Sequence, residues 1–303
     1  MICAYPYTQK NSGASYGCGQ CLPCRINKKR MWTGRIVLES MCHSKTAFIT
    51  LTYAPEFLPD NGSLIPKHLT DFLKRVRYYL EKEGRKMRYF AVGEYGDQTK
   101  RPHYHIALFG IDYTERELIE KSWKFGIIDM GRDTGVTPDS ASYIAGYVTK
   151  KMTNGDGLAW NGYDPELMLP EFTRMSRMPA IGSGASTLMA EQFEGLCEYV
   201  ALHGDVPSQL NVSGKNYPLD ATMKKYFRSA FSIDDDQKEM LTANVTSKIG
   251  VKNLDTYFQY MEKNPDYLQI YDQGLILQKV NASKLKLIEA KHKFFKTTKR
   301  SVF

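Results

Sequence analysis

Two runs rich in apolar residues, Met87 to Val92 and Tyr104 to Phe109, flank a polar connection, Gly93 to Pro102. That connection is too short for the crossover that parallel neighbours require, so the pair predicts an antiparallel hairpin. A hairpin at this place dictates what can surround it. Upstream, Ala47 to Tyr53 mixes Phe48, Leu51 and Tyr53 with β-branched Ile49, Thr50 and Thr52 and stops at Pro55 and Pro59, which predicts a strand. Lys67 to Glu83 puts Leu69, Phe72, Leu73, Val76 and Leu80 on one helical face, with Gly84 closing the helix. Downstream come a helix from Thr114 to Trp123 with Thr114 as N-cap, a short strand from Phe125 to Met130, and a helix from Asp139 to Lys151 after Pro138. Strand, helix, strand, strand, helix, strand, helix is the order of an α+β fold, an antiparallel sheet covered by helices.

The chain of 303 residues has room for one large domain or two ordinary ones. With 42% apolar and 24% charged residues its composition is that of a globular protein. No stretch approaches the roughly 18 consecutive apolar residues that span a bilayer, and no secretory signal is visible, so a cytoplasmic protein with no membrane partner is expected. The net charge of +8 is uneven. Residues 1 to 152 carry 23 basic and 15 acidic side chains, whereas the remainder has 18 of each, which points to a polyanion, nucleic acid, held by the first half. Arg25, Lys28, Lys29, Arg30 and Arg35 lie on an expected basic helix near Trp32; with Lys100, Arg101 and Lys151 they are the candidate DNA contacts.

Four segments are expected: residues 1–44 with a cysteine cluster and the basic helix, 45–152 as the core, 153–186 as linker and loops, and 187–303 as a mainly helical region. In the last of these, Leu188 to Leu202, Leu219 to Phe231, Asp255 to Met261 and Ala282 to Phe295 predict helices, and Asp234 to Asp236 a helix start. The final stretch, with Lys284, Lys286, Lys291, Lys293, Lys296, Lys299 and Arg300, is a basic end that reads either as a nucleic-acid contact or, more commonly for such a run, as a solvated face.

Three short stretches of the basic half carry chemistry. In Pro102-His-Tyr-His105, strand alternation points His103 and His105 the same way, a bidentate platform for an ion. Glu94, at the end of the paired strand, is the nearest carboxylate, and two imidazoles with one carboxylate suit Mn²⁺ or Mg²⁺. The plainer reading is two histidines packed on a sheet face. In Ser142 to Lys151, Tyr143, Tyr147 and Lys150 fall on one helical stripe and Ile144 and Val148 on another. A phenol can attack phosphorus when a divalent ion polarises the phosphate and a cation stabilises the developing charge; otherwise the stripe is core with a snorkelling lysine. Cys18, Cys21 and Cys24, with Cys3, have the count for a tetrathiolate zinc site, although the spacing also suits iron–sulfur ligation and unliganded thiols. A reducing cytoplasm argues against disulfides. Cys42 and Cys197 read as ordinary buried cysteines.

These stretches resemble the HUH endonucleases that start rolling-circle replication, most closely the initiators of microvirus, gokushovirus-like, single-stranded-DNA phages. Phe48-Ile-Thr-Leu-Thr-Tyr53 resembles their first motif, Pro102-His-Tyr-His-Ile-Ala-Leu-Phe-Gly110 their His-hydrophobic-His motif, and Tyr143-Ile-Ala-Gly-Tyr147-Val-Thr-Lys150 their tandem-tyrosine motif, in that order. Cys18-Gly-Gln-Cys21-Leu-Pro-Cys24-Arg25 and the distal Met175-Ser-Arg-Met-Pro-Ala-Ile-Gly182 are also similar to phage members. The resemblance implies a central five-stranded antiparallel sheet, a metal held by His103, His105 and Glu94, and a tyrosine, first Tyr143, that nicks single-stranded origin DNA in the cytoplasm of an infected bacterium. A 5′-phosphotyrosine and a priming 3′-hydroxyl result; Tyr147 serves the second cleavage before the strands are rejoined, and Lys150 stabilises phosphate charge. No Gly-x-x-x-x-Gly-Lys loop is present, so unwinding falls to a host helicase, with a host polymerase as further partner. The rivals are a noncatalytic zinc-stabilised single-stranded-DNA-binding protein and an HUH transposase or relaxase.

Overall fold

The computed structural model describes residues 2–96, 98–131, 135–150, 168–233, 235–264 and 273–300, with Lys150 and parts of the last two helices as backbone only. Two short strands, β1 (Tyr7–Thr8) and β2 (Ser15–Tyr16), pair antiparallel before helix α1 (Leu22–Met41). Then follow β3 (Thr46–Tyr53), α2 (Pro66–Lys82), β4 (Arg88–Tyr95), β5 (Pro102–Phe109), α3 (Arg116–Ser122), β6 (Gly126–Asp129) and α4 (Pro138–Lys150). Beyond these lie β7 (Phe172–Met175), α5 (Gly184–Gln192), α6 (Glu194–His203), the hairpin β8 (Gln209–Val212) and β9 (Lys215–Pro218), α7 (Ala221–Ala230), α8 (Asp235–Lys263) and α9 (Gln273–Arg300). The chain divides into two compact units, Lys29–Phe231 and Met1–Lys28 together with Ser232–Phe303.

The sheet of the first unit has five strands in the order β6-β3-β5-β4-β7, every neighbouring pair antiparallel. The α+β class and the five-stranded sheet thus stand as expected. Alternation along the strands builds two cores. Ile49, Leu51, Ala91, Tyr104, Ile106 and Leu108 face Leu69, Phe72, Leu73, Val76 and Leu80 of α2 together with Ile119 and Trp123. Phe90, Val92, Ala107 and Phe109 face Ile36 and Val37 of α1, Ala141, Ile144 and Ala145 of α4, and Ile181.

Several local expectations need correction. The fifth strand, β7, lies inside the stretch read as linker and loops; its four residues pair with β4 from Phe90↔Met175 to Gly93↔Phe172. The helix expected over Leu188–Leu202 is two helices, because the chain bends at Phe193. The hairpin of β8 and β9 has no counterpart in the sequence reading. Thr114 does not cap α3: Asp112 caps the 3₁₀ turn Tyr113–Glu115 that leads into the helix, its carboxylate accepting from Thr114 N at 3.0 Å with Glu115 completing the capping box, and α3 then starts at Arg116. Cys42 is exposed and Cys197 half-buried, so neither is the core cysteine expected.

A buried carboxylate organises the distal motif. Glu39 of α1 accepts from Gly182 N at 2.6 Å, from Arg88 Nε and from His43 Nε2, while Arg88 also donates to Pro179 O. Arg35, buried beside it, donates to Ile181 O at 3.0 Å and to Asp220 at 3.1 Å. Residues Pro179–Gly182 are therefore clasped by α1 and β4. Gly182 has φ +83° and rests against the Arg35 carbonyl, where a Cβ would stand 2.7 Å from the oxygen.

Candidate metal and tyrosine site

Cross-strand register assembles the site. Glu94 on β4 is opposite His103 on β5, and Thr52 and Thr50 on β3 are opposite His103 and His105. Directly opposed residues share a face, so these five side chains project from one side of the sheet. Thr50 is in turn opposite Asp129 on β6, which brings a second carboxylate to the rim of the same cleft of about 340 Å³.

The threonines fix the rings. Thr50 Oγ1 lies 2.9 Å from His105 Nδ1 and Thr52 Oγ1 3.1 Å from His103 Nδ1, which turns both Nε2 atoms away from β3. His105 Nε2 meets Glu94 Oε1 at 2.5 Å, in a place where Glu94 is 5% exposed and His105 8%. Burial, and then the neighbouring His105, push the His103 imidazole below its ordinary pKa, favouring the neutral ring that can bind a cation.

Helix α4 covers this face. Thr137 and Ser140 cap it reciprocally, Ser140 N donating to Thr137 Oγ1 at 3.1 Å and Thr137 N to Ser140 Oγ at 2.9 Å, and Pro138 occupies the first helical position. The small residues Ala141 and Ala145 let the helix approach the sheet, and Ile144 fills the space between. Tyr143 and Tyr147 are thereby set over the histidines. Tyr143 Oη lies 3.2 Å from His105 Nε2 and donates to Glu94 Oε1 at 3.3 Å, and Tyr147 Oη donates to Tyr143 Oη at 2.9 Å. The His105 ring packs against the Tyr147 ring, edge-on to that of Tyr143.

The two phenols are not equivalent. Tyr143 remains 46% exposed, whereas Tyr147 is more enclosed. Burial, and then the Glu94 carboxylate, drive the Tyr147 phenol well above its ordinary pKa.

His103, His105, Glu94, Tyr143 and Tyr147 line one cleft. Lys150 ends α4, but its side chain, like all of Lys151, lies outside the described residues. Of the basic candidates, Arg35 is buried on its partners Ile181 and Asp220, and Arg101 donates to Tyr53 O at 2.6 Å. Arg30 donates to Asn216 O and is exposed; Arg25, Lys28 and Lys100 are half-buried. Lys29 reaches α4: its Nζ lies 3.7 Å from where a Cβ on Gly146 would stand, a position open because residue 146 is glycine. Cys3, Cys18, Cys21 and Cys24 converge in the other unit. Asp129 and Lys29 are the members whose place was not legible. Asp129 sits on a short exposed strand, and only its register with Thr50 marks it.

The two histidines, the two tyrosines, Glu94 and Asp129 all lie within the segment that a family model matches. Residues 46–152 match the family of the replication-associated protein ORF2. The chain is 33% identical over 184 residues to Replication-associated protein ORF2 of Spiroplasma virus 4, covering 54% of this chain and 55% of that protein. It is 35% identical over 164 residues to Replication-associated protein VP4 of Bdellovibrio phage phiMH2K, covering 47% and 50%. A protein of Chlamydia phage 1, Replication-associated protein ORF4, is 30% identical over 159 residues, covering 46% of this chain and 39% of that protein. The matches span about half the length of these relatives or less. No solved structure matches the chain. No helix among the described residues is long and apolar enough to cross a membrane.

Proposed function

We propose that this chain is a replication initiator of the HUH type, an endonuclease that nicks single-stranded origin DNA by attack of a tyrosine and later rejoins the strands. The observation that carries the reading is the Tyr143 phenol, half-exposed in an open cleft and within 3.3 Å of both a carboxylate and an imidazole on the sheet. Likeness to replication-associated phage proteins supports the same reading.

His103, His105 and Glu94 offer the donor types that a divalent cation takes, and they line one cleft, but their ligand atoms do not all lie within 4.8 Å of one another as they stand. With each Nδ1 occupied by a threonine hydroxyl, Nε2 of His103 and of His105 is the atom left for a ligand bond, and Glu94 supplies an oxygen. His103, His105 and Glu94 would hold Mg²⁺ or Mn²⁺, with Asp129 near, and the ion would polarise the scissile phosphate.

This chain's own groups do the rest. The Tyr143 phenol gives its proton toward Glu94, its oxygen bonds to phosphorus, and the bond from phosphorus to the 3′-oxygen breaks. The strand leaves with a 3′-hydroxyl after taking up a proton, and the 5′-phosphate stays on the tyrosine. Lys29 and Lys150 on the α4 side supply positive charge for the phosphate. Tyr147, held high by burial and by Glu94, is the slower phenol, reserved for the second cleavage. Arg25, Lys28 and Arg30 guide the DNA backbone. The place of action is the cytoplasm of an infected bacterium, where a host helicase unwinds and a host polymerase extends the 3′-end.

The test is incubation of the chain with circular single-stranded phage DNA and Mg²⁺ or Mn²⁺, with and without EDTA, read on a denaturing gel. A linear strand carrying covalently bound protein is expected only with the metal present. Retention of intact circles despite tight binding would support the noncatalytic reading instead.

A further inference from the structure

We propose that Cys3, Cys18, Cys21 and Cys24 hold one zinc ion as a tetrathiolate, and that this ion closes the fold of the unit formed by Met1–Lys28 and Ser232–Phe303. The inference stands apart from the nicking chemistry and uses none of its residues.

All four Sγ atoms lie within 4.8 Å of one another, and among the described residues this is the only such group of three or more His, Cys, Asp or Glu side chains. Cys21 Sγ is 3.8 Å and Cys24 Sγ 3.7 Å from Cys3 Sγ. Sulfurs about 2.3 Å from a tetrahedral zinc stand about 3.8 Å apart, the edge of the tetrahedron. A disulfide would need about 2.05 Å. Backbone amides point at the sulfurs as they do at thiolate ligands: Cys18 N donates to Cys3 Sγ and Cys21 N to Cys18 Sγ at 3.3 Å, and Ala4 N to Cys21 Sγ at 3.5 Å.

The unit has reason to need an ion. Among the described residues, both hydrophobic clusters lie in Lys29–Phe231. Among the described side chains of the other unit, Ala14, Ile233, Met261 and Ile276 are the buried apolar residues besides Cys3. So small a core calls for a staple. The ligands are placed to be one: Cys3 precedes β1, Cys18 follows β2, and Cys24 lies in the first turn of α1, so a single ion ties the open end of the β1–β2 hairpin to the start of α1.

The loop inside that pair is what α8 grips. Asn253 Nδ2 donates to Gly13 O and to Ser15 Oγ, each at 2.9 Å, and Gly250 leaves the Ser12 carbonyl room to approach the helix. The ion therefore shapes the surface on which α8 rests, and its loss is felt in a helix more than 200 residues away in the chain.

The experiment uses the full chain purified without chelator. Elemental analysis is expected to return one zinc per chain, and Co²⁺ in its place the visible bands of tetrahedral cobalt with thiolate charge transfer. Cys21→Ser and Cys24→Ser lose the metal, whereas Cys42→Ser and Cys197→Ser retain it. After the zinc is stripped, amide exchange in β1, β2 and α8 accelerates by about 10-fold or more, while β3, β4 and β5 hold their protection. If the serine variants fail to fold, the cobalt spectrum and the exchange of the wild-type chain still decide. Four freely reactive thiols without metal, a disulfide, or iron with sulfide would overturn the proposal, as would bound zinc whose removal leaves α8 unchanged.

Discussion

The two faces of the central sheet employ the same side chain in opposite ways. Tyr104 stands between His103 and His105 on β5, so alternation sends it to the other face, where it is fully buried. Its hydroxyl lies 2.8 Å from Tyr53 Oη and accepts from Ile65 N at 2.8 Å, and burial raises its pKa. Tyr53 joins His68 in the same network. Tyr143 is likewise hydrogen-bonded, but its partners are a carboxylate and an imidazole, and it opens to a cleft. A phenol thus becomes a candidate nucleophile through access and through partners that can take its proton or bind an ion. The residue type alone does not separate Tyr104 from Tyr143.

The largest expected effect breaks the comparison from the site side. Tyr143→Phe or His105→Ala should lower the rate of first nicking by about 10³-fold or more, with little change in melting temperature. Nicking kinetics on a labelled strand and calorimetry check both halves. The mirror experiment lies on the dry face. Leu108→Ala, at a fully buried position against α2, should cost about 3 kcal/mol of stability while the folded fraction nicks at the wild-type rate.

A third test concerns Glu39, the buried carboxylate of α1. Burial raises Glu39, but His43, the Gly182 amide and Arg88 outweigh it and hold the group below the ordinary carboxylate range. A group so depressed stabilises the fold above its unfolded pKa and loses that contribution as pH falls through the folded value. Glu39→Gln should therefore cost about 2 kcal/mol near neutrality, and the gap in melting temperature from wild type should narrow on acidification. A gap independent of pH would contradict the assignment. The smallest effect concerns Lys29. Lys29→Met should slow nicking by about 10-fold, and Lys29→Arg should restore much of the loss. Equal loss in both variants would mean that the side chain acts by packing.

The parts of the site that were legible in the sequence are those carried by local periodicity. His103 and His105 share a face because they are two apart on a strand, and Tyr143 and Tyr147 share a stripe because they are four apart on a helix. What depends on register across strands was not legible. Asp129 enters only through Thr50, and β7, four residues with an arginine among them, gains its place by pairing with β4. Arg35 was read with a basic face, but α1 is buried on all sides from Thr33 to Glu39, and its guanidinium is turned inward. Gly250 and Asn253 favour breaks locally, yet both lie within the single long α8, where each serves the docking of the β1–β2 loop. Tertiary contact outweighs local preference at such positions.

The central claim is that Tyr143 attacks a phosphate held at His103, His105 and Glu94. Its most direct measurement is peptide mapping by mass spectrometry of the protein–DNA adduct formed in the first turnover with Mn²⁺. A 5′-phosphate linked to Tyr143, absent with EDTA and absent in His105→Ala, is the predicted result. Nicked DNA whose 5′-phosphate is free, or attached in the first turnover to any residue other than Tyr143, would contradict it.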